Sequence, residues 1–197
     1  CMDTAAIENR GTAPIKAHLD RIAAINSRAD LVEAVISLYE AGVPAGIALN
    51  AAPDLKNPDE MVAWIGPAGL SLPDRDYYFK TDDRSKKIRE EFVAHAARMH
   101  RLLGVDEASS QATAKGILEF EARLAEPTLT RTERRDPYKI SNRTDLAGVR
   151  KMAPSFDWAK LLERFSVSRS APVNVSEPKY LEALEKLVAS DLAAWKA

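Results

Sequence analysis

From Asp82 to Pro127 the chain keeps a helical period with one break, at Gly104. Ile88, Phe92, His95, Met99 and Leu102 recur on one side of the first stretch, and Gly104 ends it. Ala114, Ile117, Phe120 or Glu121, and Leu124 share one side of the second, across residues 106–126, and Pro127 stops it. Two long helices in succession point to a mainly α architecture.

The flanking sequence agrees. The first ~40 residues read as two helices, with Ile15, Leu19, Ile22 and Ile25 on one stripe and Leu31, Val35 and Leu38 on the next. Ser27 with Asp30 has the form of an N-terminal cap, and Gly42 and Pro44 close that helix. Residues 46–66 change period. "AGIALNAA" and "MVAWIG" flank the turn-rich "PDLKNPDE", which predicts one small β-hairpin. Later, Thr144 is placed to cap a short helix through Met152, and Phe156-Asp157-Trp158 opens another. "APVNV" reads as a short extended piece. Ser176-Glu177-Pro178 begins a helix carried by Tyr180, Leu184, Leu187 and Val188. Residues 1–197 read as a single, mostly helical segment without repeats.

With 28 basic against 29 acidic residues, nothing calls for a nucleic-acid partner. Apolar residues make up 46%, enough for a packed core, yet no run approaches the ~20 residues that span a bilayer. The chain begins at Cys1 without an initiator Met and stops at "DLAAWKA" inside a helical pattern, so a piece of a longer polypeptide is expected. A single cysteine forms no internal disulfide and no cysteine zinc site.

Candidate chemistry is thin. His95 and His100 stand five apart, roughly 140° around a helix, so they cannot serve one metal from one face. Ala96 occupies the place where a zinc-protease helix has its Glu. His95 sits in an apolar stripe and reads as a packed core residue, and His18 as a surface or boundary residue. There is no GxSxG, no GxGxxG and no phosphate-binding glycine loop. The basic stretch Arg131, Arg134, Arg135 is interrupted by Glu133 and Asp136, which suits an Arg-to-Asp corner before Pro137 better than a nucleic-acid groove. Asn142-Arg143-Thr144 and Asn174-Val175-Ser176 match the glycosylation pattern, but Thr144 and Ser176 read as helix caps.

"GLSLPDRDYYFKTDD", residues 69–83, invites an active-site reading. Its chemistry is that of a corner. Pro73 ends strand pairing, Asp74 and Asp76 suit a turn, and Arg75 can reach neighbouring acids. Tyr77, Tyr78 and Phe79 supply rings to bury, and Asp82 or Asp83 starts the long helix.

Three motifs, "CMDTAAIENRG", "GLSLPDRDYYF" and "TRTERRDP", occur in this order. Together they resemble the N-terminal region of the neprilysin and endothelin-converting enzyme family of zinc metallopeptidases, in the Ala- and Arg-rich style of a bacterial member. The resemblance covers nearly the whole chain. It implies a helical cap lobe that restricts access to an internal substrate chamber and lines it. The family's zinc ligands lie in downstream HExxH and ExxxD motifs, which this sequence lacks. No catalytic, cofactor or metal residue is therefore carried over. The matching residues, Cys1, Leu72, Pro73, Asp74, Arg75, Asp76, Tyr77, Tyr78, Arg134, Arg135, Asp136 and Pro137, are expected to be structural. Cys1 matches a cysteine that in animal members bonds to the later catalytic portion, which implies an exported protein, periplasmic, secreted or membrane-anchored. The implied partners are the catalytic lobe of the same polypeptide and peptide substrates, with zinc in the full-length parent. A cut lobe is also expected to self-associate through the face it exposes. The alternative is a free-standing helical interaction module without enzymatic activity.

Overall fold

The computed structural model describes residues 3–197, so Cys1 and its implied disulfide lie outside the described residues. The N-terminal stretch forms three helices instead of two: α1 (Thr4–Arg10), α2 (Lys16–Ala23) and α3 (Arg28–Glu40), with a 3-10 turn at Ala13–Ile15. Pro14 has no N–H to give and sits in that turn, so the stripe read from Ile15 to Ile25 begins later than expected. Ser27 caps α3 by accepting from the Asp30 N–H at 3.1 Å, while Asp30 accepts from the Asn26 N–H at 3.0 Å.

The predicted hairpin is present and belongs to a larger sheet. β1 (Ile47–Pro53) pairs antiparallel with β2 (Met61–Pro67), Leu49 facing Ile65. After β2 come α4 (Asp76–Phe79), α5 (Asp83–Leu102), α6 (Glu107–Ala125) and α7 (Pro137–Ile140). β3 (Arg143–Thr144), α8 (Leu146–Met152), α9 (Trp158–Arg164) and β4 (Val173–Val175) follow, and α10 (Pro178–Ser190) and α11 (Leu192–Lys196) complete the chain. β4 lies parallel to β2 and β3 antiparallel to β4, giving the order β1-β2-β4-β3. "APVNV" is thus an interior strand. Asn174 within it is buried and holds the Asn142 N–H at 2.6 Å and the Ile140 carbonyl at 2.9 Å, which commits that side chain to the fold.

One apolar cluster carries the body. Ile47, Leu49, Ile65, Val173 and Val175 from the sheet meet Leu31 and Val35 of α3, Trp158 and Leu161 of α9, and Tyr180, Leu184 and Val188 of α10. The Trp158 indole donates to the Ala153 carbonyl at 2.7 Å, so the largest buried side chain has its one polar atom satisfied.

Caps chosen by local chemistry are mostly as expected. Asp82 and Asp157 accept from the N–H groups of Ser85 and Lys160 at 2.9 and 3.1 Å. Thr144 is an exception: it lies in β3, and Asp145 caps α8 by accepting from the Gly148 N–H at 2.8 Å. Ser176 is another, its hydroxyl donating to the Ile65 carbonyl at 3.3 Å.

The face of α5 differs from the apolar pattern. Ser85, Ala96 and Ala97 are buried, whereas His95 is exposed, Met99 is 43% exposed and Leu102 70%. Ala96 and Ala97 pack against Ala114 of α6, so small side chains form the seam and the longer ones point away.

Candidate functional site

Two carboxylates, Glu121 and Glu177, organise the two motif-bearing stretches. In the first, Gly69 adopts φ +80°, and a Cβ there would stand 2.7 Å from the Gly46 nitrogen. Only glycine lets the chain turn this close to the strand start. Ser71 then gives both its N–H (3.3 Å) and its hydroxyl (2.7 Å) to Glu121 of α6. The Tyr78 phenol donates to the same carboxylate at 2.6 Å and accepts from the Leu72 N–H at 3.1 Å. Burial, and then the Glu121 hydrogen bond, push the Tyr78 phenol well above its ordinary range. Asp74 accepts from the Asp76 N–H at 2.9 Å, the turn its position suggested.

Two details of this corner depart from expectation. Arg75 reaches no acid among the described residues: its Nε donates to the Glu126 carbonyl at 3.3 Å and its guanidinium lies 5.1 Å over the Phe79 ring. A helix end, where carbonyls lack partners, competes well for a guanidinium. Of the three rings, Tyr78 alone is fully buried; Tyr77 is half-buried and Phe79 is 42% exposed.

The second stretch bends around Glu177, which is 5% exposed. Glu177 accepts from the Leu129 N–H at 2.6 Å and from Arg134 Nε at 2.9 Å. The arginine corner therefore forms with a distant Glu, not with a neighbouring Asp. Asp136 instead caps α7 through the Tyr138 N–H at 2.9 Å, with Pro137 in the first turn. Glu133 folds the turn onto itself. Lys139, the Thr130 N–H and the Thr130 hydroxyl all donate to it, in that order of influence, and lower its carboxyl to about 2. Arg135 is exposed and makes no ion pair among the described residues.

A third tie holds the hairpin loop. Arg143 places two nitrogens on Glu60, each at 2.8 Å, and a further contact on buried Asp54. The Lys56 N–H and then Arg143 hold the Asp54 carboxyl below its usual value.

The two motif stretches meet where α6 ends. A cleft of about 280 Å³ is lined by Asp74, Asp76, Tyr77 and Lys80 from the first and by Arg131 from the second. Its carboxylates are already engaged in the corner, Asp76 with Lys80 at 2.9 Å. Among the described residues no group of three or more His, Cys, Asp or Glu side chains is placed to hold a metal ion. Sequence reasoning missed Glu121, Glu177 and Asn174 as organising residues. Glu121 next to Phe120 at the boundary of an apolar stripe was the one available signal.

The model of peptidase family M13 matches residues 1–197. The chain belongs to this family, as its neprilysin-like N-terminal region. Endothelin-converting enzyme 1 of Homo sapiens is 26% identical over 201 residues, covering 95% of this chain and 26% of that protein. Neprilysin-3 of Drosophila melanogaster is 31% identical over 105 residues, or 53% of this chain. Among solved structures, zinc metalloprotease ZMP1 of Mycobacterium tuberculosis in complex with an inhibitor superposes with a TM-score of 0.88 and 26% identity, over 98% of this chain and 30% of that one. PepO of a Lactobacillus shares the fold, with a TM-score of 0.79 at 18% identity. The M13 segment thus spans about a quarter of the length of the endothelin-converting enzymes it matches. No helix of the described residues is long and apolar enough to cross a membrane.

Proposed function

We infer that this chain is a non-catalytic cap-lobe segment of a zinc metalloendopeptidase, a single unit over residues 1–197. Its task is to restrict access to the substrate chamber and to line it. The observation that carries this reading is the end-to-end M13 match combined with a sequence that has no HExxH. Excluding water and oversized substrates contributes to catalysis without a reacting side chain. The catalytic lobe of the same polypeptide is the partner, peptides are the substrates, and zinc belongs to the remaining portion. The location is extracytoplasmic. The residues of both motifs, from Leu72 to Tyr78 and from Arg134 to Pro137, are structural in this reading. Supporting it, Tyr78 and Arg134 reach buried carboxylates, Asp136 caps α7, and the Arg75 guanidinium lies over the Phe79 ring.

The test is direct. The purified chain, supplied with zinc, is expected to cleave no peptide from a mixed-length library. Turnover that a chelator abolishes and zinc restores would sink the inference. Self-association of the separate segment belongs to the same proposal, since Met99, Leu102, Leu103 and Tyr138 are exposed. Light scattering over a concentration series should show mass rising with concentration, and a constant monomer mass counts against it.

A further inference from the structure

α5 and α6 form a helical pair that is anchored at one end. At that root, Ile88, Phe92, Leu118 and Ala122 pack with Leu72, Tyr78 and Ala125, and Phe120 and Leu124 enter the main core. Arg89 adds hydrogen bonds to the carbonyls of Tyr77 (2.7 Å) and Lys80 (2.9 Å). Glu121 holds Ser71 and Tyr78.

Past Phe92 and Ile117 these ties stop. The seam becomes Ala96, Ala97 and Ala114, with Val93 alongside and Ser110 buried. Side-chain hydrogen bonds and ion pairs of residues 93–115 stay within that segment among the described residues. Arg101 pairs with Glu107, Gln111 reaches Glu107, Asp106 accepts from the Ser109 N–H, and Ser110 donates to the Val105 carbonyl. Alanine methyls remove far less apolar surface from water than the Ile, Phe and Leu side chains at the root. On the α6 side helix propensity is weakened as well. Gly116 sits inside α6 with open space where a Cβ would be, and Ser109, Ser110 and Thr113 precede it.

We propose that residues 93–115 are a separately opening arm, bounded at Val93 and Gly116, that unzips and recloses while the body stays folded. Opening exposes the alanine seam beside Met99, Leu102 and Leu103, which are exposed already, and reclosing hides the seam again. This device rests on packing alone and stands apart from the peptidase reading.

Amide hydrogen exchange of the chain at neutral pH tests it, with Tyr180–Val188 of α10 as the reference for the body. Arm amides are expected to exchange at least ~100-fold faster than the α10 amides. In dilute urea the arm rates should stay nearly flat while the α10 rates climb, because local opening exposes little surface. Gly116→Ala should slow the arm about fivefold, the helix-propensity difference between the two residues, because the hinge unwinds when the arm opens, while α10 amides that exchange by global unfolding slow by no more than that factor. Arm and α10 amides that exchange at one rate and share one urea slope would overturn the proposal. So would arm rates indifferent to Gly116→Ala.

Discussion

The Tyr78 phenol donates to Glu121 Oε2 at 2.6 Å, joining residues that stand 43 apart in the chain. The same oxygen pair also receives both donors of Ser71, so one buried carboxylate has all its bonds inside the corner. Tyr78→Phe keeps the ring and removes the hydroxyl. It leaves the Leu72 N–H without its acceptor and the buried Glu121 short of a donor. A loss of about 2–3 kcal/mol is expected from the urea midpoint, since an unpaired buried group costs more than a bond contributes. A loss under ~0.5 kcal/mol would mean that water already serves this site.

Arg134 and Glu177 give a second measurable pair. The Glu177 side chain is 4% exposed and the Arg134 side chain 37%. Arg134→Ala leaves the carboxylate buried with the Leu129 N–H as its remaining donor, at an expected cost of about 2–3 kcal/mol. Glu177→Gln, which keeps an acceptor and removes the charge, should cost less. The ordering of the two variants by urea denaturation is the check, because a purely exposed ion pair would make both nearly silent.

These two pairs also mark how far the sequence was legible. Ser27, Asp82, Asp157 and Pro178 act within a few residues of themselves, so their roles as caps and helix starts follow from local chemistry. The hairpin, whose strands are joined through residues 54–60, is local in the same sense. The partners of Arg75, Arg134 and Glu121 are set by which helix end or carboxylate the fold brings near, and no spacing rule encodes that. The parallel β2–β4 pairing is equally non-local. On α5, apolar periodicity picked His95, Met99 and Leu102, whereas the buried seam is Ala96 and Ala97. Alanine carries little weight in such a pattern, yet its size is what allows two helices to approach closely.

Gly69 offers a backbone test of the first corner. Its φ of +80° and the 2.7 Å approach to the Gly46 nitrogen leave no room for a side chain. Gly69→Ala should cost more than ~2 kcal/mol, combining left-handed strain with displaced backbone. Gly104→Ala provides the comparison, since φ is +88° there with nothing within 4 Å. It should lose about 1 kcal/mol, the strain alone. Equal losses in the two variants would show that the close approach to Gly46 contributes nothing.

Acid should loosen the second corner. Glu133 sits at about 2 in the folded chain against an ordinary 4.5. Between those values the unfolded chain binds the extra proton, so stability present above pH 4.5 is lost as pH falls towards 2. Glu33, Asp54 and Glu60 are lowered too, so the wild-type slope is shared. Glu133→Gln isolates one contribution. Its thermal midpoint should lie below wild type at pH 6 and converge with it near pH 2. Parallel melting curves across that range would show that Glu133 does not titrate with unfolding.

The β1 edge of the sheet is guarded by Tyr39. Its hydroxyl accepts from the Leu49 N–H at 2.9 Å and donates to the Leu49 carbonyl, occupying both outward groups at the middle of β1. The Tyr39 ring is fixed edge-on to Phe165, 5.2 Å between centroids, so the hydroxyl is held in place. An open edge of this kind is a template for pairing with another chain. Tyr39→Phe should lower stability by about 1–2 kcal/mol. It should also raise the rate at which scattering grows in a concentrated, gently warmed sample. Because the ring contact is retained, both effects trace to the hydroxyl. If the variant loses stability without added scattering, Tyr39 supports β1 but does not protect its edge.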